Sequence, residues 1–225
     1  MRENRKLTRR ESLAAAGGLV AAALLPEAAQ AASGVSAVAS GAVACVLTPE
    51  MTEGPYYVAN EKVRRNIAEG KPGARIQLRL SVLDVARCTP VKNALVDIWH
   101  ADAGGVYSGA IAGNAGTNFL RGAQRTDAQG LALFNTIYPG WYAGRAVHIH
   151  VKVHVGGNVV HTGQFFFNET VTDAVYKKDP YKARGAPGVR NADDAIYRNG
   201  GSRSMLKVRA SGTGYVGAIT MGVHR

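Results

Sequence analysis

Cysteine, helical periodicity and long apolar runs are all scarce in this chain, and each shortage narrows what it can be. Only Cys45 and Cys88 occur in 225 residues, without a C-x-x-C spacing. That argues against a metal-binding thiolate pair and reads instead as a disulfide tying the N-terminal segment to a sheet. The longest apolar, small-residue run, Leu13 to Leu25, is too short for a stable membrane-spanning helix. Acidic residues number 16 against 27 Lys and Arg, a formal net charge of +11. The cations are nevertheless scattered, with no run of five and no nucleic-acid-binding motif, so they read as a solvated surface rather than a nucleic-acid interface. No internal repeat and no sustained 3.6-residue period is present, which disfavours helical bundles and solenoids.

What is there begins with a leader. Arg2, Arg5, Lys6, Arg9 and Arg10 precede the apolar run, and Ala29-Gln30-Ala31 follows it in the A-x-A form of a signal peptidase site. Thr8-Arg9-Arg10-Glu11-Ser12-Leu13 resembles a twin-arginine export signal, a route for proteins already folded, often around a cofactor. Residues 1–31 are therefore expected to be a removable signal, 32–44 a flexible linker, and 45–225 a single folded domain that is periplasmic or extracellular, with no stable membrane association once the signal is gone. Removing 1–31 takes away five Lys or Arg and three Asp or Glu, so the net charge falls by two, from +11 to +9.

Beyond the linker the chain reads as short strands broken by Gly, Pro and Asn. Strands are expected at Ile76–Asp84, Ala94–Trp99, Leu131–Phe134, Val147–Val155 and Val159–Phe167, with a hairpin turn through Gly156-Gly157-Asn158. A final hairpin runs from Met205–Val208 to Tyr215–Met221, and residues 168–200 look irregular apart from a short helix near Asp173 to Lys178. This pattern predicts an all-β sandwich or barrel with few short helices.

Val147 to Val155 is the clearest segment. Its valines and Ile149 fall on one face, and His148, His150, Lys152 and His154 on the other. His148-Ile149-His150 can thus aim two imidazoles at one metal ion. His154 shares that face but lies roughly 13 Å along the strand, and His161 lies across the hairpin. Either would complete a three-histidine zinc or copper site. Two tyrosines tilt the reading elsewhere: Tyr142, in the turn Pro139 to Arg145, and Tyr107, in a Gly-rich loop after Trp99. A phenol with a pKa of about 10 is a poor ligand for divalent ions at neutral pH, whereas a hard trivalent cation stabilises the phenolate.

Four stretches carry a family resemblance: TEGPYYV at 52–58, ALVDIWHADAGGVYSG at 94–109, FLRGAQRTDAQGLALFNTIYPGWYAGRAVHIHV at 119–151, and GQFFF at 163–167. Together they resemble the intradiol ring-cleavage dioxygenases, the family of protocatechuate 3,4-dioxygenase and catechol 1,2-dioxygenase, and are most similar to its exported members. The resemblance implies a β-sandwich with an iron site at one end. It implies one Fe(III) per chain, held by Tyr107, Tyr142, His148 and His150, with Tyr142 the ligand that leaves when substrate chelates. Arg145 would stabilise the electron-rich state of the ring, Gln164 would lie near the substrate, and Thr52, Pro55 and Tyr56 would line the pocket mouth. Trp99, His100, Tyr57 and Tyr138 are expected to be scaffold.

The implied reaction is cleavage of a catechol by O2 between its two hydroxylated carbons, giving a cis,cis-muconate-type dicarboxylate. The implied partners are a small aromatic diol and O2, with surface cations favouring carboxylated rings; the oligomeric state stays open. Two alternatives remain beside this reading. One is a zinc or copper site on histidines only, and the other a secreted β-sandwich binding module without catalysis.

Overall fold

The computed structural model describes residues 45–59, 62–109 and 114–225. The expected signal and linker lie outside them. The described residues form a β-sandwich of nine strands: β1 (Arg75–Asp84), β2 (Thr89–Pro90), β3 (Leu95–Trp99), β4 (Arg121–Arg125), β5 (Leu131–Ile137), β6 (His148–Val155), β7 (Asn158–Phe166), β8 (Lys207–Ser211) and β9 (Gly214–Val223). Between β7 and β8 lie α1 (Glu169–Tyr176) and α2 (Ala195–Arg198), with short 3-10 turns around them. None of the described helices is long and apolar enough to cross a membrane.

One sheet has the order β2-β1-β9-β8, with β5 also paired to β1; the other runs β4-β3-β6-β7. The period-2 pattern of β1 explains its place. Ile76, Leu78, Leu80 and Val82 are all buried, while Gln77, Arg79 and Ser81 between them are half-buried on the outer face. Facing them from the second sheet are Val96 and Ile98 of β3, Ile149, Val151 and Val153 of β6, and Phe165 of β7, in one continuous core. Each such side chain contributes about 1.5–3 kcal/mol on burial, so the two apolar faces supply the main force closing the sandwich.

Several elements differ from the sequence expectation. β4 was not expected, because Arg121-Gly122-Ala123-Gln124-Arg125 has no apolar alternation; its strand character comes from antiparallel pairing with β3. The helix expected near Asp173 starts earlier, at Glu169, because the Asn168 side chain caps it by accepting from Thr170 N. Gly156 and Gly157 make the two-residue turn between β6 and β7, with φ of +59° and +89°, the left-handed geometry that matches the twist of a hairpin.

The segment after Cys45 is a strap rather than loose chain. Cys45 is disulfide-bonded to Cys88, with Cα atoms 5.6 Å apart. Thr48 N donates to Gly222 O on β9, and Met51 N donates to Thr162 O on β7. The strap thereby passes from one sheet to the other and delivers residues 52–57 onto the outer face of the four-stranded sheet.

Candidate active site

That outer face is where β6 departs from an ordinary half-exposed strand. His148, His150 and Lys152 are as buried as the valines opposite them. Loops cover them. Trp99 of β3 is in register with His150 and stacks on it, ring centroids 4.9 Å apart and planes at 8°. Gln164 of β7 is in register on the other side. The strap lies above, where Gly54 leaves only van der Waals room against the His150 ring, and Lys152 holds it through Glu53 and through the face of the Tyr57 ring. Trp99 therefore does more than fill the scaffold, since it fixes the plane of one imidazole. His100 is buried between Ala101 O and Thr136 Oγ1, each 2.8 Å away, and burial lowers its pKa to about 4. Tyr138 is likewise core, its hydroxyl bonded to Thr172.

Two loops bring the tyrosines. Asp102 accepts from Gly104 N, Val106 N and Lys71 Nζ, which shapes the loop that carries Tyr107. The Tyr142 turn packs directly on it. Gly140 N donates to Asp102 O at 3.0 Å, and a Cβ at Gly140 would overlap the carbonyls of Asp102 and Ala103. Only glycine permits that approach. As a result the Tyr107 and Tyr142 rings stand 5.6 Å apart at a steep angle, and Tyr107 is 6.0 Å from His150. Tyr56 from the strap stacks flat on Tyr107, with centroids 4.1 Å apart.

The polar atoms converge. His148 Nδ1 lies 2.7 Å from Ala146 O; a carbonyl only accepts, so Nδ1 carries the proton and Nε2 is left with its lone pair. Around that lone pair stand the Tyr142 hydroxyl at 3.1 Å, His150 Nε2 at 3.1 Å and Arg145 Nη1 at 3.4 Å. The Tyr107 hydroxyl is buried without a hydrogen-bond partner of proper geometry, as is His150 Nδ1. Burial dominates the titration. It pushes His148 down to about 3 and His150 well below its ordinary value. It also raises both phenols, Tyr107 well above the usual range, with the neighbouring Tyr142 adding to the effect. Two neutral imidazoles and two phenols facing one point form a donor set that fits a cation, because an added positive charge offsets the desolvation keeping the phenols protonated. The buried Tyr107 hydroxyl, with no well-formed hydrogen bond, is the clearest mark of that fit.

Arg145 is held on three sides: Nε donates to Asp194 Oδ2 at 2.8 Å, Nη2 to Gln164 Oε1 at 2.6 Å, and Nη1 faces His148. Gln164 in turn donates to Thr52 O at 2.9 Å. Thr52 and Pro55 are exposed on the strap beside the half-buried Tyr56. His154 and His161 do not join the site. A bulge separates His154 from Val153, and His161 pairs with Val153, on the face opposite His150, with Nδ1 2.9 Å from Glu50. Among the described residues no three or more His, Cys, Asp or Glu gather in a way that could hold a metal, so a histidine-only site lacks its third imidazole. Asp194 is the site neighbour the sequence reading missed; an Asp directly before Ala-Ile-Tyr-Arg is a helix N-cap signal, and that signal was available.

A β-sandwich with two histidines and two tyrosines gathered on one strand face defines a class, and comparison gives it a family. A family model described as "Dioxygenase" matches residues 52–179. The chain is 34% identical over 137 residues to the protocatechuate 3,4-dioxygenase beta chain of Burkholderia cepacia, covering 55% of this chain and 54% of that protein. It is 30% identical over 156 residues to catechol 1,2-dioxygenase 2 of Acinetobacter lwoffii, covering 60% and 53%. In each case it spans about half the length of the curated relative. Among solved structures, an intradiol ring-cleavage dioxygenase from Tetranychus urticae superposes with a TM-score of 0.76 at 32% identity, over 80% of this chain and 95% of that one. The chain belongs to the intradiol ring-cleavage dioxygenase family.

Proposed function

We propose that this chain binds one Fe(III) through Tyr107, Tyr142, His148 and His150. With it the protein cleaves a catechol between its two hydroxylated carbons, consuming O2 and yielding a cis,cis-muconate-type dicarboxylate. The observation that carries the reading is the convergence of two imidazole Nε2 atoms and two phenols, one of them buried with no well-formed hydrogen bond. When bound, Fe(III) acidifies phenolic hydroxyls and draws on the electron density of a chelated catechol, opening its ring to O2.

The residues divide the remaining work. His148 is locked in its lone-pair tautomer by Ala146 O, and His150 is held in plane by Trp99, so neither imidazole needs to reorganise. Tyr107 is clamped under Tyr56 and stays in place. Tyr142 is less deeply buried than Tyr107 and sits on a turn. It is therefore the ligand placed to swing away; held as a phenolate by bound Fe(III), its Oη would accept one proton from the incoming diol. Arg145 Nη1 presents a fixed positive charge where negative charge builds on the ring, at no cost in reorganisation. Gln164 and the strap residues Thr52, Pro55 and Tyr56 shape the entrance.

The same reading includes export by the twin-arginine route. It rests on the leader sequence, and the Cys45–Cys88 disulfide fits an oxidising compartment. Replacing Arg9 and Arg10 with lysine is expected to leave the unprocessed chain in the cytoplasm.

The visible spectrum of iron-loaded protein tests the function, recorded before and after anaerobic addition of catechol. A broad phenolate-to-iron band that shifts with catechol, followed by O2 uptake and a ring-opened diacid on aeration, is the expected result. A protein that remains colourless after iron reconstitution would falsify the reading.

A further inference from the structure

We infer that Asp194 is a positioning residue for Arg145, so that the segment beyond β7 sets the direction of the guanidinium that faces His148. The inference deepens the function proposed above and rests on it. Asp194 lies outside the residues matched by the family model, 52–179, and its carboxylate is buried without exposure. One oxygen, Oδ2, accepts from Arg145 Nε and from Ala146 N, both at 2.8 Å. The other, Oδ1, accepts from Ile196 N at 2.8 Å and Tyr197 N at 3.0 Å, capping α2. A buried carboxylate with four donors is fully satisfied and cannot rotate without losing a bond.

The consequence for Arg145 is geometric. A guanidinium is a planar fork, so fixing Nε on Asp194 and Nη2 on Gln164 fixes the whole plane. Nη1 is the remaining nitrogen, and it faces His148 Nε2 at 3.4 Å. Asp194 also ties the stretch 145–146 to α2, and Tyr197 of α2 packs on Phe166, which neighbours His148. Ala146, whose amide Asp194 holds, provides the carbonyl that sets the His148 tautomer. One side chain therefore orients both the cation and a carbonyl behind a metal-facing imidazole.

The test uses the full-length processed protein with Asp194→Asn, Arg145→Ala and the double variant. Asp194→Asn keeps an oxygen for the α2 cap but places an amide against Arg145 Nε and Ala146 N. It is expected to lower kcat about 10- to 100-fold, the range for loss of an orienting partner. The anaerobic dissociation constant for catechol, read from the visible band, should change far less. In the Arg145→Ala background the same change should cost several-fold less kcat, leaving only what passes through Ala146 to His148. An equal fold-loss in both backgrounds, or a loss explained entirely by lower iron content, overturns the inference.

Should Asp194→Asn fail to fold, Arg145→Lys keeps the charge, leaves Asp194 capping α2, and removes the fork. Full activity in that variant also overturns it. Melting of the metal-free proteins separates this outcome from failure of the proposed function. Asp194→Asn should lower Tm more in the Arg145 protein than in the Arg145→Ala background, whether or not any catechol is cleaved. Wild-type protein inert towards all catechols refutes the function; additive Tm losses refute the Asp194–Arg145 coupling.

Discussion

Replacing Tyr107 with phenylalanine should change the stability of the metal-free and iron-loaded protein in opposite directions. The substitution removes one oxygen atom and leaves the ring, with its stack on Tyr56, in place. That oxygen is buried and has only a poorly formed bond to the Tyr142 hydroxyl. A buried polar group left unpaired costs about 1–3 kcal/mol. Because the Tyr142 phenol stands close enough to influence Tyr107, the lower part of that range applies, about 1–1.5 kcal/mol. In a domain of this size each kcal/mol moves Tm by about 2–4 °C, so metal-free Tyr107→Phe should melt roughly 2–6 °C above wild type. Iron acts the other way. A metal that binds only the folded state raises Tm in proportion to its affinity, and with one phenol lost the rise on loading should shrink and the visible band weaken. The assay is a pair of calorimetric scans, metal-free and iron-loaded, for both proteins. Tyr142→Phe is the control, because its hydroxyl does have a partner in His148, and the metal-free protein should gain nothing from losing it. If Tyr107→Phe melts below wild type without metal and keeps the full stabilisation by iron, Tyr107 is a packing residue and the four-ligand argument fails.

Three further outcomes follow from the same structure. Opening the Cys45–Cys88 bridge, which links residues 43 apart in sequence, should cost up to about 4 kcal/mol by the loop-entropy relation; Cys88→Ser should show it as a lower denaturant midpoint. Asp84 is held down to about 2, below its ordinary 3.8, chiefly by its hydrogen bond from Arg225 and with help from Arg87. Its stabilising contribution is whole above pH 4 and is lost as pH falls towards 2, so Asp84→Asn should lower stability by a constant amount above pH 4 and flatten acid unfolding between pH 4 and 2. Because the chain without residues 1–31 carries a net charge of +9 (+11 less 2), kcat/KM for a carboxylated catechol should fall with added salt while that for an uncharged catechol stays level. Equal salt dependence of the two would remove any steering role from the surface charge.

The sandwich was legible where apolar spacing is regular. β1 and β6 follow a strict period of two, and their predicted ranges differ from the observed ones by one residue at a single end. β4 was hidden because its pairing comes from neighbours rather than from its own residues, with Arg121 buried where alternation would place an apolar side chain. The strap was legible only at its Cys45–Cys88 anchor; its further bonds, Thr48 to Gly222 and Met51 and Glu50 to Thr162, join residues more than a hundred positions apart and leave no local pattern. In the site, the two imidazoles were readable from H-x-H on a strand; the tyrosines stood out beside them, but their assignment as ligands came only through the family resemblance, since nothing local shows that the 102–107 loop folds against the 139–145 turn. Asp194 escaped because its partner, Arg145, lies 49 residues earlier, a distance that only the folded chain closes.

The pairing of β1 with β9 has a consequence for how the molecule is made. These are the first and last strands, they lie parallel, and β9 joins β8 to the rest of the five-stranded sheet. Half of the sandwich therefore stays unfinished until β9 has left the ribosome, and contacts this distant in sequence form slowly. A nascent chain would expose the apolar faces of β1 and β5 until then, a surface prone to aggregation. Deleting the last dozen residues should thus give an aggregating chain rather than a trimmed enzyme, even though every residue facing the proposed iron would still be present.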